Sequence, residues 1–346
     1  MHILLLAKTS FKTRIFIILL SLTFLFSCYE TGDYSTDPRT NFEALWKIID
    51  ERYCFFEYKN IDWDAVYVKY SARIDDSMDR FQLFEVLSEM LAELKDGHTN
   101  LVSPFQKSRL WNWQENYPEN FNSVVHKKYL GTDYLIAGGL KYLIMRDNIG
   151  YVYYGDFSTD ISEANLDEMF IHFRDCDGII FDVRNNTGGL LAYSERIASR
   201  FMQEKQIVGY ITHKTGKGHN DFSKPYAIEL EPSNRIKWHR PVIVLTNRSC
   251  FSTTNDFVSK MRLFTNVTII GDKTGGGCGL PFNSELPNGW GVRFSSSPLL
   301  NADKEIIEYG IDPDIKIDIK ENDQLNNIDT IIEEALLYLK EQIFEK

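Results

Sequence analysis

Hydroxyl side chains and a thiol lie together in the segment SCFSTTND, residues 249–256, directly after the apolar run PVIVLTN. This pattern predicts that a short buried strand ends here and that a helix begins. A helix N-terminus needs only one Ser or Thr as its cap, so the additional groups raise the question of a nucleophile. A serine hydroxyl becomes a good nucleophile only when a base accepts its proton.

Two other loops could complete a site for acyl transfer. His98, in DGHT, is a candidate base because the unperturbed pKa of imidazole, ~6.5, lies near working pH. The loop RNNTGG, residues 184–189, follows the apolar run GIIFDVR, and its glycine pair permits close backbone approach. Backbone N–H groups in this loop and at the start of the helix after SCFSTTND could stabilise an oxyanion. The two loops should lie side by side if their strands are neighbours in the sheet.

Each of these signals also has a common structural explanation. A serine near a helix start is more often a cap, a glycine pair after a strand is usually a turn, and most histidines are surface or core groups. Composition and spacing alone therefore indicate an exported α/β protein, with a hydrolase as one option.

The elements that must position these loops fall into three parts. Apolar residues at helical spacing predict a helical subdomain over 40–104, and short strand-like pieces predict a connecting segment over 105–149. From Gly150 onward, continuous apolar strands alternate with helices, which predicts an α/β layered domain over 150–346. The segment between DGHT and the strands of that domain is too short to hold a complete peptide-binding PDZ module of ~90 residues.

Composition excludes some classes of function. The chain has 346 residues, 43% of them hydrophobic, which is enough for a sizeable core. Its formal charge of −11 argues against a nucleic-acid-binding protein, since such proteins carry basic surfaces. The cysteines show no CxxC spacing, so no zinc site is predicted, and no disulfide pair can be assigned from spacing.

The N-terminus has the layout of a secretory signal. Basic residues precede the apolar run IFIILLSLTFLFS, which ends at Cys28 and is shorter than the ~20 residues that a membrane span needs. The residues Leu25-Phe26-Ser27-Cys28 resemble a bacterial lipobox, and this resemblance implies that Cys28 is lipidated. Residues 1–28 are then the signal peptide and 29–39 a polar tether, with the chain anchored by lipid in a bacterial cell envelope. An ordinary signal peptide with a coincidental cysteine is the alternative.

Several motifs resemble the tail-specific, or C-terminal processing, serine peptidases. GIIFDVRNNTGG is similar to their strand-and-loop signature, and PVIVLTNRSCFSTTNDF followed by NVTIIGDKTGGG is similar to their nucleophile segment. LKDGHT matches the segment before their core, and GIDPDI, residues 310–315, matches their closing motif. The motifs agree in order and spacing over roughly residues 40–340. The resemblance implies a crotonase/ClpP-like layered α/β core with an N-terminal helical subdomain.

The resemblance also implies roles for single residues. Ser252 matches the nucleophile, and the N–H of Thr253 matches one oxyanion donor. The second donor would come from Gly188 or Gly189, and the motif does not distinguish between them. His98 matches the base of the tricorn-core branch of the family, and Glu308, in EYGIDPDI, is the nearest match for the carboxylate that fixes the imidazole tautomer.

Two departures from the family pattern concern the base. Many bacterial members use a lysine located 25 residues after the nucleophile, and that position here is Gly277. Lys273 comes four residues too early and would need a different loop path to reach Ser252. In the tricorn core a hydroxyl residue precedes the histidine, and here that residue is Gly97.

The sequence therefore predicts a serine endopeptidase that forms an acyl-enzyme, uses a histidine base and needs no metal or organic cofactor. Its partners would be a polypeptide substrate and, through the lipid anchor only, a membrane. A non-catalytic protein that binds an apolar ligand or a peptide on the same scaffold is the alternative, and Cys250 is a less favoured nucleophile. The oligomeric state and the physiological substrate are not indicated.

Overall fold

The structure, a computed structural model, describes residues 34–109 and 116–344. The predicted signal peptide, the lipobox Cys28 and residues 29–33 of the predicted tether lie outside these residues. The helices are α1 (Pro38–Arg52), α2 (Trp63–Ser71), α3 (Arg80–Ala92), α4 (Ser123–Leu130), α5 (Glu163–His172), α6 (Leu191–Ala198), α7 (Thr253–Met261), α8 (Glu321–Leu325) and α9 (Thr330–Phe344). The strands are β1 (Asn100–Val102), β2 (Leu135–Ala137), β3 (Leu140–Met145), β4 (Ile149–Tyr153), β5 (Gly178–Asp182), β6 (Gln206–Ile211), β7 (Tyr226–Leu230), β8 (Val242–Thr246), β9 (Val267–Gly271), β10 (Gly279–Glu285), β11 (Gly291–Leu300) and β12 (Ile315–Lys316).

The larger sheet has the strand order β12-β9-β8-β5-β4-β3-β2. Strands β4, β5, β8, β9 and β12 are parallel, whereas β2 and β3 run antiparallel to their neighbours. Every residue of β5 and of β8 is buried, as expected for apolar strands covered by helices on both faces. The predicted α/β class is therefore confirmed.

Strands β5 and β8 are direct neighbours, with Ile179 opposite Val242 and Asp182 opposite Leu245. The loops that follow them, RNNTGG and SCFSTTND, consequently emerge side by side at one edge of the sheet. This confirms the adjacency predicted from the two apolar runs.

Two cores cover the faces of this sheet. Helices α5, α6 and α7 pack on one face, where Phe170, Ile197 and Phe257 are among the buried residues. Helix α9 packs on the other face through Ile332, Leu336 and other apolar residues. Fully burying each of these side chains stabilises the fold by roughly 1.5–3 kcal/mol.

A smaller antiparallel sheet, with order β1-β11-β6-β7 and β10 paired to β11, carries helices α1 to α3. Phe42 and Leu87 of these helices share one core with Phe294 of β11. Each of these three helices begins at an aspartate cap. In α1, for example, the Asp37 carboxylate accepts a hydrogen bond from the Thr40 N–H at 2.7 Å.

Segments from the three predicted parts of the chain pack together in the structure. Strands β2 and β3, from the predicted connecting segment, pair with β4 in the larger sheet. The helices of 40–104 pack on strands from the C-terminal third of the chain. Within residues 34–109 and 116–344, no helix is both long enough and apolar enough to cross a membrane.

Candidate active site

Ser252 lies at the turn between β8 and α7 in a strained backbone conformation. Its φ of 59° and ψ of −121° fall in a region that residues other than glycine rarely adopt. The Ser252 N–H donates to Gly276 O at 2.8 Å, and its carbonyl accepts from the Asp256 N–H at 3.1 Å. Ser252 occupies the N-cap position of α7, but its hydroxyl makes no capping bond. The hydroxyl is therefore turned away from the helix and toward the site.

The Ser252 hydroxyl meets the ring of His98. The distance from His98 Nε2 to Ser252 Oγ is 2.9 Å, which is a hydrogen bond. His98 is only 7% exposed, and its ring packs against the Phe251 ring with centroids 4.8 Å apart. The geometry suits transfer of the hydroxyl proton to Nε2.

The polar residues after Ser252 tie the surrounding loops together. Thr253 Oγ1 donates to Gly189 O at 2.7 Å, and Thr254 Oγ1 donates to Asn186 Oδ1 at 2.7 Å. Asn255 Nδ2 donates to Ile307 O at 3.1 Å, toward the closing motif. The polar side chains that follow Ser252 therefore hold the RNNTGG loop and the residues before the closing motif in place around the serine.

The glycine loop approaches the serine closely. A Cβ on Gly188 would lie 2.8 Å from Ser252 Cβ and 2.9 Å from Thr253 N, so only glycine fits here. The Gly188 N–H donates to Asn186 Oδ1 at 2.9 Å. Among the described residues, the Gly189 N–H and the Thr253 N–H have no acceptor. The structure thus brings Thr253 and the glycine pair beside Ser252, as the sequence predicted.

Behind His98 lies a buried cluster of charges formed by Lys59, Asp96 and Glu308. Lys59 Nζ lies 2.8 Å from Glu308 Oε1 and 3.7 Å from Asp96 Oδ2, and all three side chains are at most 4% exposed. Lys59 Nζ also donates to Lys95 O at 3.0 Å, and the Tyr53 hydroxyl donates to Asp96 Oδ2 at 2.9 Å. The cluster joins the helical region to the closing motif.

The pKa values in this region are displaced from their usual ranges. Burial lowers the pKa of His98 to about 4, although the charge of Asp96 opposes this shift. Burial and the nearby Asp96 charge raise the pKa of Glu308 to about 7, against the opposing effect of Lys59. The pKa of Asp96 is lowered despite its burial, because Lys59 and His98 favour its charged form. His98 is therefore neutral at neutral pH and able to accept a proton.

Glu308 does not make the contact with His98 that the sequence predicted. Its Oε1 is bonded to Lys59, and its Oε2 accepts from the Cys278 N–H at 2.9 Å. The carboxylate that bonds to His98 is that of Asp96, whose Oδ1 accepts from the His98 backbone N–H at 2.8 Å. His98 Nδ1 is buried and has no hydrogen-bond partner among the described residues.

Sequence reasoning missed Asp96 and Lys59. The signal for Asp96 was its position two residues before the candidate base, in a turn where an aspartate side chain bonds a backbone N–H two residues on. Lys59 had no comparable signal, because nothing local shows which distant carboxylates its side chain will meet.

Cys250 is not placed to act as the nucleophile. It is fully buried, its thiol donates to Val183 O at 3.1 Å, and burial raises its pKa to about 12. Reactive cysteines are exposed thiolates with lowered pKa values. Cys54, Cys176 and Cys278 are also free and buried.

Among the described residues, Lys273 makes no hydrogen bond to Ser252, and position 277 is a glycine. Lys273 Nζ forms an ion pair with Asp312 Oδ2 at 3.3 Å. Gly277 has a φ of 79°, and a Cβ there would lie 2.4 Å from the Phe251 ring. A lysine at position 277 is therefore incompatible with this backbone and with the aromatic ring that packs on His98.

A cleft of about 760 Å³ adjoins the residues that precede the reacting pair. Its lining includes Gly97 and Phe251, which directly precede His98 and Ser252 in the chain, together with Gly275. Aromatic and charged side chains also line it, among them Tyr117, Arg248 and Tyr309. In the described part of the chain, no group of His, Cys, Asp and Glu side chains is arranged to hold a metal ion.

Comparison with known proteins places this site in a family. Residues 148–317 match peptidase family S41, and residues 34–92 match the tricorn protease C1 domain. A crystal structure of a candidate peptidase from Parabacteroides merdae is 56% identical, with a TM-score of 0.85, over 88% of this chain and 97% of that one.

Curated relatives are more distant. A candidate tricorn-like protease C-terminal subunit from Sulfurisphaera tokodaii is 23% identical over 87% of this chain and 43% of its own length. The carboxy-terminal processing protease CtpA of Bacillus subtilis is 25% identical over 54% of this chain and 39% of its own length. The chain thus spans less than half the length of these two relatives. The S41 match covers both loops of the site, and the C1 match covers helices α1 to α3 before it. Together with the 56% identity to the Parabacteroides merdae structure, these matches show that the chain belongs to peptidase family S41.

Proposed function

We propose that this protein is a serine peptidase that hydrolyses polypeptides through an acyl-enzyme, with Ser252 as nucleophile and His98 as base. The observation that carries the proposal is the 2.9 Å contact between His98 Nε2 and Ser252 Oγ. A strained serine at a strand-to-helix turn, bonded to a neutral imidazole, is the arrangement that an activated hydroxyl needs.

In the first half of the reaction, Ser252 Oγ attacks the peptide carbonyl carbon and His98 Nε2 takes the hydroxyl proton. The carbonyl oxygen gains negative charge, and the N–H groups of Thr253 and Gly189 are the proposed donors to it, since the Gly188 N–H is bonded to Asn186 Oδ1. His98 then gives the proton to the leaving amine, so that the amine departs neutral and the acyl group stays on Ser252.

In the second half, His98 takes a proton from water, and the resulting hydroxide attacks the acyl carbonyl. Collapse of this intermediate breaks the bond to Ser252 Oγ and returns the proton to the serine. The ring is neutral at the start of both halves, as a base must be, and its depressed pKa means that the imidazolium formed in each half needs a stabilising charge nearby.

The cleft lined by Gly97, Phe251 and Gly275 is the proposed substrate site. Its volume suits an extended peptide segment of a few residues, and two of its lining residues directly precede His98 and Ser252 in the chain. We also propose that Cys28 carries a lipid and holds the enzyme at the bacterial cell envelope. Radioactive fatty acid should then enter the wild-type chain and not the Cys28→Ser variant when each is expressed in bacteria.

A fluorophosphonate probe tests the catalytic proposal directly. The wild-type protein should be labelled at Ser252 and should cleave fluorescence-quenched peptides, whereas Ser252→Ala should do neither. Labelling of Ser252 without any peptide cleavage would point to a different acyl substrate. No labelling together with tight binding of an apolar ligand or peptide would favour a non-catalytic binding protein on this scaffold.

A further inference from the structure

The buried cluster behind His98 brings together side chains from three distant parts of the chain. Lys59 follows α1, Asp96 follows α3, and Glu308 precedes the closing motif. The exposed fractions of the three side chains are 2%, 0% and 4%. Removing this many charges from water is costly, so their retention next to the catalytic pair needs an explanation.

The contacts within the cluster are unequal. Glu308 is held by Lys59 at 2.8 Å and by the Cys278 N–H at 2.9 Å. Asp96 is farther from Lys59, at 3.7 Å, but it accepts bonds from the Tyr53 hydroxyl and from the His98 backbone N–H. Lys59 thus ties down Glu308 and faces Asp96, while Asp96 is attached directly to the base.

Asp96 is also the carboxylate whose charge acts on His98. The groups that face the His98 ring electrostatically are Asp96, Arg293 and Lys59, and only Asp96 favours the imidazolium. Burial disfavours that cation strongly, yet His98 must hold the Ser252 proton during the reaction. A fixed negative charge beside the ring offsets part of this cost.

Lys59 in turn keeps Asp96 ionised. Two buried carboxylates close to each other cannot both stay charged without a cation, and one of them then takes a proton. The lowered pKa of Asp96 and the raised pKa of Glu308 fit this division, since the proton goes to Glu308 first.

We propose that Asp96 and Lys59 are positioning residues of the catalytic base: Asp96 fixes the His98 backbone and balances the imidazolium charge, and Lys59 holds Asp96 ionised and Glu308 in place. This inference rests on the proposed function, because it assigns roles around the same Ser252–His98 pair. In this proposal Glu308 acts on His98 only indirectly, by holding Lys59, and not through the direct contact with His98 that was expected from the sequence.

The test measures the rate of fluorophosphonate labelling of Ser252 against pH, with peptide cleavage measured in parallel. Labelling reports activation of the serine and does not depend on a suitable peptide. Asp96→Asn keeps the size of the side chain and removes its charge. The plateau of the labelling rate should fall about 10- to 100-fold, because the base becomes weaker, and the KM for peptides should stay within about twofold.

Lys59→Met should move the acid limb of the labelling profile upward by ~1–3 pH units, because Asp96 loses its cation and protonates at higher pH and because His98 loses a nearby positive charge that lowers its pKa. Lys59→Arg keeps the charge and should restore the limb to its wild-type position. Lys260→Met is the matched control: Lys260 is also 2% exposed and paired, with Asp256, but it does not face Asp96 or Glu308. Its limb should not move.

The outcomes separate this inference from the proposed function. If the wild type is labelled and Asp96→Asn is labelled at the same rate, Asp96 has no positioning role. If folded Lys59→Met shows an unchanged acid limb, Lys59 has none. Neither result contradicts the peptidase proposal. If Lys59→Met does not fold, Lys59→Gln takes its place, since it removes the charge and keeps a hydrogen-bond donor for the carboxylates, and its acid limb should also move upward. A wild type that is neither labelled nor active contradicts both proposals.

Discussion

The side chains of His98 and Ser252 meet at 2.9 Å although 154 positions separate them in the chain. His98 comes from the turn after the N-terminal helices, and Ser252 starts the helix that follows a central strand of the larger sheet. The helical region must therefore pack on the C-terminal strands before the reacting pair exists.

Removing either member of this pair should nearly abolish activity. Ser252→Ala and His98→Ala should each lower kcat by ~10⁴-fold or more, and the double variant should be little worse, because the two groups act as one unit. Steady-state cleavage of a quenched peptide measures this. Ser259→Ala, farther along α7, is the control and should keep kcat within about threefold. Strictly additive losses in the double variant would contradict a shared role.

Lys273 should not be the base. Because its ammonium is paired with Asp312 at 3.3 Å, Lys273→Ala should keep kcat within about threefold, although KM can change since the residue lines the cleft. The measurement is kcat over pH 5–9 for this variant beside His98→Ala. Full activity in His98→Ala with a large loss in Lys273→Ala would reverse the assignment.

Local patterns predicted the parts of the site that strand order controls. The apolar runs before RNNTGG and SCFSTTND predicted buried parallel strands, and their pairing brought Gly188 next to Ser252. The chemistry of imidazole made His98 a candidate base, and the family resemblance connected it to Ser252, which no local pattern does. The smaller sheet could not be predicted in the same way. Its strands β1 and β11 pair although they are far apart in sequence, and such pairing leaves no periodic signal in the sequence.

Side-chain partners inside the helical region were beyond sequence reasoning for a similar reason. Glu308 was expected to contact His98, but Lys59 takes its carboxylate instead. A buried carboxylate bonds to whichever cation and N–H groups the packing brings near, and the packing of the helical region on the C-terminal strands decides this. The pairing of β3 with β4 likewise joins the segment before Gly150 to the strands after it.

Gly188→Ala should remove activity, because the glycine loop lies so close to Ser252 that an added methyl group would displace one of them. The added Cβ would lie 2.8 Å from Ser252 Cβ and 2.9 Å from Thr253 N, at a φ of 102°. Labelling and peptide cleavage should both fall at least ~10²-fold, the loss typical of a disturbed oxyanion site. Gly289→Ala separates backbone strain from this contact, because Gly289 has a φ of 81° and nothing within 4 Å. It should lose about 1 kcal/mol of stability and keep its activity. Equal activity in the two variants would argue against a role for the glycine loop.

Glu308→Gln should change how stability depends on pH. In the folded protein the Glu308 pKa is raised from 4.5 to about 7, so between these values the folded state holds a proton that the unfolded state has lost. Stability contributed by this group therefore falls as pH rises through that window. His98 acts in the opposite sense: its pKa is lowered from 6.5 to about 4, so its contribution rises with pH between those values. In the wild type the two slopes largely cancel between pH 4.5 and 6.5.

The variant removes one of these two slopes. The free energy of unfolding of Glu308→Gln relative to wild type should therefore increase from pH 4.5 to 7, by about 3 kcal/mol at most, and level off above. Urea unfolding at half-unit pH steps measures this difference, and the shape of the curve matters more than its offset, since the variant also loses its ionic contact with Lys59. Glu321→Gln, on the exposed face of α8, should give a curve parallel to wild type. A Glu308→Gln curve that is also parallel would mean that this carboxyl group titrates in the folded protein as it does in the unfolded chain.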